Sequence, residues 1–308
     1  MEDSPGTSDP EPLSVLDPIA AAFRRTGRIL FRPFDLKKWF VLGFCAWLAR
    51  LGTGGGAGGT NWNVPDEGTA ERELEQVQDW FATHLELAIG LAVILVLSGI
   101  LLWVLLTWLS SRGKFMFLDG VLHNRGAVVE PWSRFRNLGN SLFGLRLVLL
   151  ILAVITIGVT VAFLAFSFRA IGFDEDDPSI AAIVLVSVWV GLIVALGIAF
   201  VLVGLAVNDF LVPIMWLRGC RALDAWPELR ALLYANPGIF VLYVLLKIVV
   251  AMVIGFFVCL AVCATCCIAA IPYLGTVLLL PLFVFHRSYS ICFLHQFKPD
   301  YAPLGPID

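Results

Sequence analysis

Polar residues that interrupt the apolar stretches are the side chains best suited to chemistry. Asn208 and Asp209 end one long apolar run, and His286 and Arg287 stand near the end of another. Ionisable groups at membrane depth are functional candidates, because burying them in hydrocarbon is costly. These four residues therefore form the candidate functional polar cluster. At a helix end the same residues can also be interfacial groups or an ion pair, and the sequence leaves both interpretations open.

Cysteines crowd a later apolar run, at Cys259, Cys263, Cys266 and Cys267. Thiolates bind soft metals, but one rigid helix cannot surround an ion, and no His or acid lies nearby in the sequence. Helical i,i+4 Cβ atoms lie about 5–6 Å apart, too far for the roughly 3.5–4.5 Å of a disulfide. We interpret these cysteines as small packing residues at a helix contact and predict no metal and no cofactor.

Enzyme signatures are absent from the sequence. There is no His-Glu-x-x-His, no Gly-x-Ser-x-Gly and no pair of intramembrane aspartates. The Gly-rich stretch 52–68 lacks the lysine and the strand-to-helix context of a phosphate-binding loop, so it is interpreted as a linker. The sequence therefore predicts neither an enzyme nor a nucleic-acid-binding protein.

Composition assigns the chain to the membrane. Of 308 residues, 59% are hydrophobic and only 15% are charged, against about 25% charged in soluble domains. Several apolar runs exceed the roughly 20 residues that cross a bilayer as a helix, and the alternation of a β-barrel is missing. The predicted fold class is an all-α integral membrane protein.

Six transmembrane helices are predicted from the apolar runs. The run after 180 is too long for one crossing, so the exit is placed at Asn208-Asp209 and Pro213. A second break is expected at 271–275. Residues 1–16 are predicted to be a disordered tail, 17–297 a single helical membrane domain with an extracytoplasmic loop at 52–86, and 298–308 a second tail. The segments lie at 36–51, 87–109, 140–168, 180–207, 238–270 and 274–293.

Charge sets the predicted orientation. Most of the 21 lysines and arginines fall before residue 39, after residue 285 and in the stretches 110–139 and 209–237. The positive-inside rule then places both termini of a multi-pass protein in the cytoplasm; the prokaryotic inner membrane is the location that the family resemblance described below implies. Arg146 and Lys247, near the starts of their helices, are interpreted as snorkelling towards that face.

The first helix, predicted over 17–31, is amphipathic. Ile19, Phe23, Thr26 and Leu30 share one helical face, and Arg24, Arg25 and Arg28 fall away from it. Such a helix can lie among anionic lipid headgroups.

An internal repeat is the next prediction. The stretch 115–120 resembles 214–219, Pro131 and Arg134 match Pro227 and Arg230, and Asn140 matches Asn236. A fainter copy opens the chain, which gives three copies of an amphipathic helix followed by two membrane helices. Similar apolar composition can also produce such matches, so true repetition and coincidence both stay open.

One further pattern carries a family resemblance. The stretch Ile29-Leu30-Phe31-Arg32-Pro33-Phe34, followed by Trp39-Phe40 and the Gly-rich exit, is similar to prokaryotic membrane proteins of unknown function. These resemble the membrane domain of some glycerophosphoryl diester phosphodiesterases, whose catalytic barrel has no counterpart here. The resemblance implies a membrane module, not phosphodiesterase activity.

Three functions remain open after this reasoning. The favoured hypothesis is a non-enzymatic protein that organises lipid or protein partners at the cytoplasmic face, with anionic lipid on its basic amphipathic segments. The alternative is a small transporter or channel with a path between repeats, near the candidate cluster. An enzyme is the least favoured. The identity of protein partners is not legible from the sequence.

Overall fold

The computed structural model describes residues 13–51, 85–171, 180–265, 271–298 and 300–301. All of the regular secondary structure in these residues consists of helices. A five-residue π-helix, Val207–Leu211, joins two of them without a break. In chain order the α-helices are α1 Asp17–Phe31, α2 Leu36–Arg50, α3 Leu85–Leu122, α4 Val129–Arg134, α5 Arg136–Ile171, α6 Ile180–Ala206, α7 Val212–Arg218, α8 Ala222–Ala235, α9 Pro237–Ala264, α10 Pro272–Leu278 and α11 Leu280–His295.

Four stretches are long and apolar enough to cross a membrane: Ile89–Leu122, Arg136–Arg169, Val184–Arg218 and Pro237–Ala264. Only 0 to 6% of their most apolar windows is buried. We call the exposed parts, 85–106, 148–171, 180–206 and 248–264, the arms. At about 1.5 Å per residue they are about 26–40 Å long, close to the roughly 30 Å of bilayer hydrocarbon. The predicted fold class, an all-α membrane protein, is confirmed at this level.

The buried core lies at one end of the arms, and we call this end the body. It combines α1, α2, residues 107–122 of α3, the π-helix and the short helices after it, α10 and α11. Residues from both ends of the described chain meet there, since the Ser14 amide donates to Gln296 Oε1 at 2.9 Å. The largest fully buried side chains include Tyr243, Tyr289, Tyr301, Phe115, Phe210, Phe293, Ile29, Leu30 and Leu42.

A close contact of two helices forms the centre of the body. A Cβ at Gly113 of α3 would lie 2.6 Å from the backbone nitrogen of Ala49 and 2.7 Å from the carbonyl carbon of Leu48 on α2. The Ser110 hydroxyl donates to the Ala49 carbonyl at 2.9 Å. Without a side chain at 113, the two helices approach until backbone meets backbone.

The six-segment prediction is only partly matched. The predicted segment 36–51 is the 15-residue helix α2, about 22 Å long at 1.5 Å per residue and therefore shorter than the hydrocarbon layer. The predicted segment 274–293 is not one helix, because α10 ends at Leu278 and α11 begins at Leu280. Pro281, in the first turn of α11, explains the break, since its ring cannot fit inside a helix. Four membrane-length helices are therefore described, and six crossings remain a prediction.

The first helix buries only part of the predicted face, Thr26 and Leu30. Phe23 is 72% exposed, whereas Arg25 is 3% exposed. The buried residues of α1 are Pro18, Ala22, Arg25, Thr26, Ile29 and Leu30. Tertiary packing against α11 therefore overrides the apolar periodicity at Phe23 and Arg25. Arg24 and Arg28 are exposed, and contact of this helix with anionic lipid remains a prediction.

The predicted tail 1–16 is packed at its end. Val15 is 4% exposed, and its carbonyl accepts a hydrogen bond from the Tyr289 hydroxyl at 3.4 Å. The prediction of disorder is therefore wrong for 13–16. Residues 1–12, the predicted loop 52–86 up to residue 84, and 302–308 lie outside the described residues.

Two predicted repeat copies share the order of their helices. Residues 115–118 and 214–215 are both buried ends of long helices, each followed by a short helix, α4 or α8, and then by a long one. The ends differ, since the first copy continues to Leu122 and the second stops at Gly219, which has a left-handed φ of 63°. Threefold repetition remains a prediction.

Candidate functional site

The π-helix places Asn208 and Asp209 inside the body. The helix does not end at these residues but continues from α6 through Val207–Leu211 into α7. The predicted exit from the membrane there remains a prediction. Pro213 follows directly, and the wider turn moves the preceding carbonyls away from its ring. The sequence therefore points correctly to a local irregularity and wrongly to the end of a helix.

Asp209 forms a buried ion pair. It is 5% exposed and accepts hydrogen bonds from Lys247 Nζ and, at 3.2 Å, from the Tyr243 hydroxyl. Lys247 is 6% exposed and lies one helical turn after Tyr243 on α9. A charge buried this deeply is tolerated when it is paired and hydrogen-bonded, so the carboxylate connects the π-helix to α9.

Aromatic rings surround this pair. Tyr243 stacks on Tyr289 with ring centroids 5.3 Å apart, and it also contacts Phe210 and Phe293 at 4.9 and 4.5 Å. The rings exclude water from the Asp209–Lys247 contact, which strengthens the attraction and raises the cost of breaking it.

Asn208 accepts hydrogen bonds from three cationic side chains. Its side-chain Oδ1 accepts hydrogen bonds from Lys114 Nζ and from Arg146 Nη2, the latter at 2.7 Å. Its main-chain carbonyl accepts one from Arg287 Nη1 at 2.6 Å. Together with Lys247, these residues form what we call the cationic layer: Lys114, Arg146, Lys247 and Arg287.

Three of the four predicted site residues thus meet: Asn208, Asp209 and Arg287. His286 is partly buried and close enough to Asp209 and Lys247 to be electrostatically coupled to them. The functional role of the four residues stays a prediction.

Sequence reasoning missed the other members of the layer. Arg146 and Lys247 were interpreted as snorkelling residues, yet each is bonded inside the body. The missed signal was Asp209 itself, because a lone acid in an apolar stretch requires a cation from another helix. Lys247, one turn after Tyr243, fits that requirement.

A cavity of about 270 Å³ lies beside the layer, where the arms of α3, α5 and α6 join the body. Arg146, Asn208 and Thr107 supply its polar wall. The rest of the lining is mostly apolar and includes Leu51, Trp103, Leu149, Leu150, Phe200, Val203 and Gly204. The cavity therefore combines a cationic corner with an apolar wall.

A second polar cluster of the body lies around Glu228 of α8. Its carboxylate accepts hydrogen bonds from Arg218, Lys298 and Tyr301 at 3.1, 3.0 and 2.8 Å. Partial burial alone would raise the pKa of Glu228, but these hydrogen bonds outweigh burial and lower the pKa from 4.5 to about 2. Glu228 thus holds Lys298 and Tyr301, part of the predicted tail, against α8.

Glu228→Gln is expected to destabilise the protein at neutral pH by about 1.5–3 kcal/mol, because it removes the charge from these hydrogen bonds. The folded-state pKa is depressed, so this stabilisation is complete above about pH 4.5 and is lost as the pH falls towards 2. Thermal melts in detergent from pH 7 to 2 should show the two proteins converging. Glu130→Gln is the matched control, since Glu130 is 60% exposed, and a difference independent of pH would contradict the expectation.

Metal ligands do not cluster among the described residues, where no group of three His, Cys, Asp or Glu side chains is placed to hold an ion. Cys259 and Cys263 are exposed on the arm of α9. They line no contact with another helix among the described residues, so their interpretation as packing residues finds no support there. Cys266 and Cys267 lie outside the described residues.

Apolar arms on a packed helical body define a helical membrane protein. Residues 13–284 match a family of unknown function, DUF7544. Because the match covers most of the chain, the protein belongs to this family. Comparison with curated proteins and with solved structures gave no match.

Proposed function

We propose that the protein is a non-enzymatic, multi-pass protein of a prokaryotic inner membrane that organises anionic lipid, or protein partners, at the cytoplasmic face. The resemblance to the membrane domain of phosphodiesterases supports only a role as a membrane module, and no phosphodiesterase activity is proposed. The observation that carries the proposal is the position of the cationic layer at the base of the arms.

The length of the arms supports a role at the headgroup level. If the arms span the hydrocarbon, Lys114 and Arg146 lie at its boundary, where anionic headgroups supply negative charge. Basic side chains at that depth attract acidic lipid most strongly when few carboxylates compete for them. The excess of Lys and Arg in the body also supports a cytoplasmic position for it.

Anionic lipid is expected to stabilise the full-length protein. In nanodiscs of phosphatidylcholine to which phosphatidylglycerol is added, the melting temperature followed by tryptophan fluorescence should rise, by mass action on the folded state. The rise should shrink at high salt. Lys114→Gln should weaken it, whereas Arg230→Gln, at an exposed position of α8, should not. Equal melting temperatures in both lipid mixtures would overturn the proposal.

A small transporter or channel is the second candidate. One observation favours it, namely the buried Asp209–Lys247 pair beside a π-helical turn, since such turns often mark functional sites. Against it, the arms enclose no polar path among the described residues, because their apolar windows are at most 6% buried. Proton flux into proteoliposomes distinguishes the two candidates.

A further inference from the structure

The cavity at the base of the arms has the chemistry of a site for one anionic phospholipid. We propose that a single phospholipid binds there, with its phosphate on Arg146 beside Asn208 and the start of its acyl chains along the apolar wall between α3, α5 and α6. Lys114, which donates to the same Asn208 oxygen, adds positive charge behind the cavity wall. This inference deepens the proposed function and rests on it, because it assigns a defined site to lipid that could otherwise be bound diffusely.

Charge balance is the first argument. Lys114 and Arg146 both donate to one neutral oxygen, Asn208 Oδ1. Two cations so close repel each other unless an anion lies between them. Among the described residues, no carboxylate forms an ion pair with Lys114, Arg146 or Arg287, and Asp209 is paired with Lys247. The layer therefore carries more positive charge than its own acids balance.

Hydrogen-bonding capacity is the second argument. Among the described residues, the other hydrogen-bond partners of Arg146 besides Asn208 are weak ones, the hydroxyls of Ser110 and Ser111, at 3.5 and 3.4 Å. A guanidinium prefers two parallel bonds to a phosphate or carboxylate. Arg146 lines the cavity, so a phosphate there can replace the long contacts with short, charge-assisted ones.

The shape of the cavity decides between a lipid and a free anion. Its volume of about 270 Å³ is near the lower limit of typical small-molecule pockets, roughly 300 Å³. A cavity of this volume is larger than one phosphate needs. The side chains of Trp103, Leu149 and Phe200 make no favourable contact with an inorganic anion, but they can pack against the methylene groups of an acyl chain. The lining continues onto arms that are themselves apolar and exposed, so acyl chains can continue along the arms.

Gly204 allows the site to be blocked without touching a charge. It lines the cavity, and a Cβ built on it would meet no heavy atom within 4 Å. The Cβ of a substituted residue therefore has room, and Gly204→Leu adds a bulky apolar side chain at the cavity lining. Gly191→Leu is the matched control, since Gly191 lies on the same helix, has the same open surroundings and does not line the cavity.

The test is native mass spectrometry of the full-length protein purified with phosphatidylglycerol. We expect one retained phosphatidylglycerol per chain, unchanged in Gly191→Leu. Arg146→Gln should reduce it about tenfold or more, as for loss of a charge-assisted contact, and Gly204→Leu should reduce it as strongly by occupying the cavity. Arg146→Lys should retain part of the binding. The Gly204 variant keeps every charge, so it remains informative if Arg146→Gln fails to fold.

Two results would overturn this inference. Equal retention by Gly204→Leu and the wild type would place the lipid elsewhere. Stabilisation by inorganic phosphate in lipid-free detergent, equal to that by phosphatidylglycerol, would assign the site to a free anion. In either case the response to anionic nanodiscs could persist, so failure of the site and failure of the proposed function are distinguishable.

Discussion

Asp209→Asn is expected to lower the free energy of unfolding by about 3–5 kcal/mol, the usual cost of removing one partner from a buried ion pair. Lys247 would keep its charge in a site closed by Tyr243 and Tyr289, with no carboxylate to balance it. The asparagine can still accept a hydrogen bond but carries no charge, so the loss is electrostatic.

Thermal melts in detergent measure this effect, with Asp224→Asn as the matched control. This substitution is the same change of acid to amide, but Asp224 lies on an exposed face of α8. Surface substitutions alter stability by about 0.5 kcal/mol or less. The double variant Asp209→Asn with Lys247→Met should recover part of the loss, because both charges are then removed. A stable Asp209→Asn protein would refute the buried-pair interpretation and weaken any role for the cluster.

Gly113→Ala is expected to be the second large effect, although it adds a single methyl group. The new Cβ would lie 2.6 and 2.7 Å from backbone atoms of α2, and backbone cannot rotate away as a flexible side chain can. Overpacking of this kind costs about 1–3 kcal/mol. The separation of α2 from α3 would also disturb the bond from Ser110 to Ala49.

Gly99→Ala, in the arm of the same helix, is the control. Its Cβ would meet nothing within 4 Å, and alanine is favoured over glycine inside a helix by about 0.8–1 kcal/mol. The two identical substitutions should therefore shift the melting temperature in opposite directions. Equal shifts would show that the close contact at 113 does not limit stability.

Membrane-length apolar helices and a local irregularity at residues 208–209 could be predicted because each depends on local sequence. An apolar run of sufficient length must be helical in lipid, and a lone acid in such a run stands out by composition. The break before α11 was not predicted, although Pro281 is a local signal for it.

Partners were harder to predict because they depend on how the helices are rotated against one another. Nothing near Arg25 indicates that α11 covers it, and nothing near Phe23 indicates that it is left exposed. Lys114 and Arg146 lie 94 and 62 residues from Asn208 in the sequence. Such long-range pairings follow from tertiary packing, which overrides local periodicity.

The packing of α1 against α11 has a consequence for biosynthesis. Ser14 and Gln296 bond across 282 residues, so the body cannot close until nearly the whole described chain has left the ribosome. At about 5–20 residues per second, the N-terminal helices wait many seconds with their buried faces uncovered. During that interval the nascent protein is a natural client for chaperones and membrane proteases, and a chain truncated before α11 would remain one.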